Sequence, residues 1–302
     1  MVIEFESEDG LVLVDRKEPM SNPPPIAEVS LRINEALESI GNEKSLELLG
    51  RLGAETPNWL KNHLAMEHSY PSPSNITRCR YQLWLNAKDK PRDEEPPTLW
   101  KIRQLMGIIA EPLWLAVLGM AGFEVTLPNE RLECGPNMFA YPDAVLDSDF
   151  LYEGKTINGW GYKRLLESSV GVSAEEDSHY TQAQLYLYAA KKMWCLYLAT
   201  PPDPGFLQST MRQKKRYGAS YEMPPVYLEW IERDDATIED ALQRAEMIVE
   251  DSKSDEPPPR EYDGRTVDLK GKKLMPCGFC LFSATCQTKY GYGEYEGDIE
   301  WA

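Results

Sequence analysis

Tyr141-Pro-Asp-Ala-Val-Leu-Asp-Ser-Asp-Phe-Leu-Tyr-Glu-Gly-Lys-Thr156 reads as a β-hairpin whose two apolar arms flank the polar turn Asp147-Ser148-Asp149. Asp143 and Glu153 are symmetric about residue 148, so antiparallel pairing sets them opposite each other. A strand period of two puts Lys155 on the same face as Glu153. Two carboxylates and an ammonium then converge on one surface, the combination that holds a hard divalent cation beside a phosphate. Salt bridges within a hairpin are the competing reading, because Asp followed ten residues later by Glu-x-Lys is a common pattern.

Outward from the hairpin, Leu99 to Met120 is a strongly apolar helical pattern closed by Gly122, and Glu111 is its only acid. Pro112 removes a helical hydrogen bond next to that acid, so a charge and a backbone irregularity coincide. The alternative is a solvated break between two helices. Phe123 to Leu127 and Met138 to Leu146 have strand character. Helical segments between Gly161 and Lys192 lead to Met193-Trp-Cys-Leu-Tyr-Leu-Ala199, a buried strand by its unbroken apolar run. A strand at Val226 to Ile231 and a helix from Ala236 to Val249 follow. Ahead of all this, residues 1 to 25 read as an arm and a stiff proline linker, and Ile26 to His68 as a helical appendage. The expected division is 1–70, arm and helical extension, and 71–302, main domain. His63 and His68 read as structural or solvated.

The cysteines carry more information than the carboxylates. Cys277-x2-Cys280-x5-Cys286 places three thiolates within reach of one centre, and Cys79 could supply a fourth. Cys134 and Cys195 lie in apparent strands and read as core. Cys79 itself follows a Ser/Thr loop in which Ser74 or Thr77 would cap the next helix. Spacing leaves zinc and an iron-sulfur cluster both open, and either would clamp shut the long loop between Cys79 and Cys277.

Two further groups are candidates. Gln184 and Tyr188 sit one helical turn apart on a common face, as do Gln182 and Tyr186 one step round. The basic run Arg212-Gln-Lys-Lys-Arg216, with Lys191 and Lys192 earlier, offers phosphate contacts through Lys191, Lys192, Arg212, Lys214, Lys215 and Arg216. A solvated loop and an ordinary amphipathic helix are the plainer readings of these two groups.

Composition bounds the rest. The 302 residues, 42% apolar and 10% aromatic, describe a folded globular chain. With 32 basic against 49 acidic side chains and a net charge of −17, nucleic-acid binding requires a local positive patch, and the acidic surface is available to protein partners. No run of 18 apolar residues and no basic leader is present, so the expectation is a cytoplasmic protein without a membrane span.

In this order the motifs resemble the RecB-like branch of the PD-(D/E)xK nuclease superfamily, the group with an iron-sulfur cluster, which includes CRISPR-associated RecB-like exonucleases, the AddB nuclease domain and phage-encoded relatives. The resemblance spans about Ser74 to Lys289. It rests on Cys79 after its Ser/Thr loop, Gly107-x3-Glu111, Pro142-Asp143 with Glu153-x-Lys155-Thr156, Gln184-x3-Tyr188, and the terminal cysteines. It implies a restriction-endonuclease-like α/β fold with a mixed central sheet flanked by helices. It implies Mg²⁺ or Mn²⁺ held by Glu111, Asp143, Glu153 and the Gly154 carbonyl, with Lys155 positioning water and Gln184 and Tyr188 shaping the site. It also implies a [4Fe-4S] cluster on Cys79, Cys277, Cys280 and Cys286. Many cluster-bearing members have His where this chain has Glu111, whereas Glu is familiar from the lambda-exonuclease type. The implied activity is metal-dependent hydrolysis of DNA, as an exonuclease on single strands or ends; the alternative is a catalytically weak binding or protein-interaction subunit on the same fold.

Overall fold

The computed structural model describes residues 22–40, 70–128, 131–201, 224–262, 264, 266 and 276–291. Expectations for His63, His68, Arg212, Lys214, Lys215 and Arg216 fall outside the described residues, as does most of 1–70. The elements in chain order are α1 (Ile26–Glu38), α2 (Arg80–Ala87), α3 (Thr98–Met120), β1 (Val125–Thr126), β2 (Leu132–Gly135), β3 (Met138–Ala140), β4 (Ala144–Leu146) and β5 (Phe150–Thr156). There follow α4 (Gly159–Glu167), α5 (Val172–Glu175), α6 (Asp177–Ala189), β6 (Trp194–Thr200), β7 (Tyr227–Glu232), α7 (Asp235–Lys253), a 3₁₀ turn Cys277–Phe279 and α8 (Ser283–Tyr290).

The hairpin forms in the expected register. Ala144 pairs with Tyr152 and Leu146 with Phe150, leaving a three-residue loop in which Asp147 and Ser148 take φ of 50° and 60°, the left-handed pair of a type I′ turn. The Asp149 amide closes the turn on the Leu146 carbonyl at 3.1 Å. Around this hairpin the sheet runs β1-β4-β5-β6-β7. Only β5 and β6 are parallel, and the crossover between them is the α4–α6 segment. The architecture is therefore α/β with a mixed five-stranded sheet flanked by helices, as the resemblance implies.

Alternation along β5 and β6 builds two cores. Leu151, Cys195, Tyr197 and Ala199 face α6 and α7, while Phe150, Tyr152, Leu196 and Leu198 face α1 and α3. Burial on both faces explains why β6 reads as an unbroken apolar run. Helix α1 contributes Val29, Ile33 and Ala36 to the second core, and Arg32 ties it to the end of α3 by donating to the Ala121 carbonyl at 2.7 Å. Thus α1 packs into the main body although it lies on the N-terminal side of residue 70.

Several local expectations change. Met138 to Leu146 is not one strand. It breaks at Tyr141-Pro142-Asp143 into β3 and β4, which belong to different sheets, because proline has no amide to continue a ladder. Neither Ser74 nor Thr77 caps α2; Cys79 occupies the cap position and makes no side-chain cap bond. Helix α3 is one helix through Pro112, so the alternative of two helices parted by a solvated break does not hold. Its apolar character misleads in part: Leu99, Ile102 and Leu105 are 58%, 51% and 46% exposed, and burial begins in earnest near Leu115. Lys101–Met120 is long and apolar enough, by length and composition alone, to cross a membrane, with Leu115, Val117 and Leu118 packed in the second core.

Candidate active site

Asp143 follows Pro142 at the point where the chain enters β4, and the hairpin register carries it opposite Glu153. Its Oδ2 accepts the Gly154 amide at 2.8 Å. Glu153 is fully buried; its Oε1 forms an ion pair with the Lys155 ammonium, and its Oε2 has no hydrogen-bond partner among the described residues. Glu111 arrives from α3 on the other side. Burial, then Asp143 and Glu153, push its pKa up to about 9, with Lys155 opposing. Burial and Asp143 raise Glu153 to about 8. Burial disfavours the charge on Lys155, yet Glu153, Asp143 and Glu111 together hold its pKa above the usual value.

Three carboxylates from three elements thus press on one another around one ammonium. A buried acceptor without a donor and mutually raised acids are what a set of carboxylates shows when positive charge is short. The donor set is all oxygen and fits a hard divalent cation. Among the described residues, no group of three Asp, Glu, His or Cys side chains is already drawn together closely enough to hold a metal ion, so ligation requires the side chains to turn inward. Gly154 is dictated by sterics: a Cβ there would stand 2.5 Å from the Tyr152 hydroxyl, closer than any real contact.

Glu111 and Lys155 open onto a groove of about 900 Å³, with Glu153 buried behind its lining. Glu111, Gly154 and Lys155 line it beside Arg78, Arg103, Gln104, Asn158, His179 and Gln182. Arg78 and Arg103 carry no distinct signal in the sequence, because each has just one base close by, Arg80 and Lys101, and the two segments are far apart. His179 was missed too. It stands three residues before Gln182, and its Nδ1 lies 2.9 Å from the Tyr197 hydroxyl. Burial and then Lys155 depress its pKa to about 3, so its ring is neutral.

Gln184 and Tyr188 do not line this groove. Gln184 donates to the Glu232 carbonyl and accepts from the Asp234 amide, both at 2.8 Å, which joins α6 to the β7–α7 corner. Tyr188 is 38% exposed and lies under the Arg233 guanidinium at 5.7 Å. The pair at the groove is the one two positions earlier: Gln182 lines it and donates to the Tyr186 hydroxyl at 2.8 Å. Spacing is identical in both pairs, so only the seating of α6 on the sheet separates them. The basic candidates of this region are also displaced. Lys192 donates to the Ser148 carbonyl at 2.7 Å, and Lys191 is exposed beside it. Both stand where β6 begins, while Lys155 stands where β5 ends.

Cys79, Cys277, Cys280 and Cys286 line one cavity together with Tyr81, Arg260 and Phe282. None of the four is in a disulfide among the described residues. Burial pushes Cys280 up to about 11 and also raises Cys286, against the pull of Arg260. Asp93 fastens the segment down, accepting the Thr285 amide at 3.0 Å and its hydroxyl at 2.5 Å. Cys79, Gln82, Tyr262 and Pro276 line both this cavity and the groove, so the two are neighbours. Cys134 and Cys195 are buried in the first core.

The sequence matches no known family model and no curated protein. Among solved structures, an alkaline exonuclease from Laribacter hongkongensis is similar over 60% of this chain and 87% of its own, at 16% identity and a TM-score of 0.42. Its complex with dAMP gives 15% and 0.43. A phage-related exonuclease from Haemophilus somnus is similar over 41% of this chain and 59% of its own, at 12% identity and 0.29. At these values the overlap is partial, and no residue's role passes from those proteins to this one.

Proposed function

We propose that this protein is a divalent-metal-dependent deoxyribonuclease of the RecB-like PD-(D/E)xK type, acting as an exonuclease on single strands or DNA ends. The observation that supports it is the meeting of Glu111, Asp143 and Glu153 with Lys155 beside a groove that Glu111 and Lys155 line together with Arg78 and Arg103.

The roles follow from the geometry. Glu111, Asp143 and Glu153 would hold Mg²⁺ or Mn²⁺, with the Gly154 carbonyl beside them. When bound, the cation supplies an acidified water and charge neutralisation at the phosphate. Asp143 is oriented for this by the Gly154 amide on its Oδ2. Lys155, kept charged by the carboxylates, offers Nζ–H to a non-bridging phosphate oxygen or to the attacking water. Gln182 has one amide hydrogen committed to Tyr186, which fixes its plane and leaves its oxygen and second hydrogen for the groove. Arg78 and Arg103 carry the local positive charge that an acidic chain needs for a polyanion, with backbone phosphates as their partners. Cys79, Cys277, Cys280 and Cys286 form an all-sulfur set suited to a thiophilic centre, and we assign them a [4Fe-4S] cluster with a structural role.

The test is digestion of 5′- and 3′-labelled single- and double-stranded DNA with Mg²⁺ or Mn²⁺. Wild type releases nucleotides, and the double variant Asp143→Ala, Glu153→Ala releases none while its circular dichroism is unchanged. Undiminished cleavage by that variant would sink the assignment, and tight binding without cleavage by wild type under several metals would make the protein a binding subunit.

A further inference from the structure

Tyr152 precedes Glu153 on β5, so its side chain leaves the opposite face of the sheet and enters the second core. It is fully buried, and its hydroxyl has no hydrogen-bond partner among the described residues. A purely structural core position gains nothing from such a hydroxyl, because a buried phenol without a partner is costly and Phe fills the same volume.

The ring does not point into the middle of the core. It runs along the strand beneath Gly154, with the hydroxyl 2.5 Å from where a Cβ at that residue would lie. Gly154 lines the groove, and its amide is the one that Asp143 accepts. The hydroxyl therefore stands behind the very peptide that orients Asp143. The direction of its shift agrees: burial raises its pKa first, followed by Asp143, Glu153 and Glu111, so all three acids are within electrostatic reach of it.

We propose that Tyr152 is a positioning residue of the metal site, its hydroxyl donating to the Asp143 carboxylate when the acids turn inward onto a divalent cation. A donor behind a liganding carboxylate fixes which lone pair faces the metal, and the loss of such a partner typically weakens metal affinity by about 10- to 100-fold. This inference rests on the metal-site reading of the preceding subsection.

Tyr152→Phe in the full-length protein tests it through Mn²⁺ alone, without turnover. Thermal unfolding in EDTA and calorimetric titration with Mn²⁺ give the two readouts. The expected result has opposite signs: the metal-free variant unfolds at the same temperature as wild type or higher, while its Mn²⁺ affinity falls by about tenfold or more. The control is Tyr162→Phe, which removes a buried hydroxyl bonded to the Pro224 carbonyl at 2.5 Å. It should lower the metal-free melting temperature and leave Mn²⁺ affinity alone. Equal Mn²⁺ affinity in wild type and Tyr152→Phe, or an equal loss in the control, overturns the role for Tyr152 while leaving the metal site standing. Absence of Mn²⁺ binding to wild type overturns the site reading and this inference with it.

Discussion

His179 shows how one side chain can matter to the groove without any motif announcing it. Its ring is held by Tyr197, with Glu176 Oε2 3.9 Å from Nδ1 and Lys155 adding repulsion to any positive charge. Folded, it titrates near 3; unfolded, at about 6.5. The unfolded chain therefore takes up a proton that the folded protein refuses between those values, and this contribution to stability is lost as pH falls below about 6.5. Glu111 and Glu153, raised in the folded state, work in the other direction, so the prediction concerns a difference. In EDTA, wild type should lose stability relative to His179→Gln by about 1 kcal/mol for each pH unit between 6 and 5. Urea midpoints at several pH values measure this, and parallel curves would refute a neutral buried His179.

Helix α6 carries two Gln-x3-Tyr pairs, and its neighbours sort them. Gln184 satisfies both a carbonyl and an amide at the β7–α7 corner. Gln184→Ala should destabilise the protein by about 1–3 kcal/mol, the cost of leaving buried groups unpaired, with turnover little changed at a temperature where the variant stays folded. Gln182→Ala should do the reverse, lowering kcat while shifting the urea midpoint less, because its amide borders the groove. Turnover and urea unfolding of the two variants decide the matter, and a kinetic defect confined to Gln184→Ala would return the site to the later pair. Helix α3 divides its labour by face as well as by length. Arg103, Gly107 and Glu111 face the groove, while Leu115 and Leu118 anchor the far end in the second core.

For the molecule as a whole, the C-terminal segment closes back on α2 nearly 200 residues upstream. Tyr81, Trp84 and Phe282 form a small core of their own around Cys79, Cys280 and Cys286. So small a core gives little stability unless the thiols share a ligand. Purified without oxygen, the wild type should show visible absorption and bound iron, and Cys286→Ser should lose both and unfold at lower urea. A colourless zinc-containing protein would refute the iron-sulfur assignment. The cavity borders the groove, so the same variant should also weaken DNA binding.

Strand alternation, turn chemistry and local spacing are properties of neighbours in the chain. They suffice for the hairpin, its register, the buried β6 strand and the face shared by Glu153 and Lys155, because backbone geometry allows few alternatives there. Spacing on a helix repeats every turn, so it could not choose between Gln182–Tyr186 and Gln184–Tyr188. Nor could it show that half of an apolar helix stays exposed, that Pro142 parts two strands, or that Arg78, Arg103 and His179 share a groove with Glu111. Those outcomes depend on how α3 and α6 seat against the two faces of the sheet. Packing between elements distant in sequence decides that, and it brings the carboxylates of the opening hairpin within electrostatic reach of Glu111, thirty-two positions before Asp143.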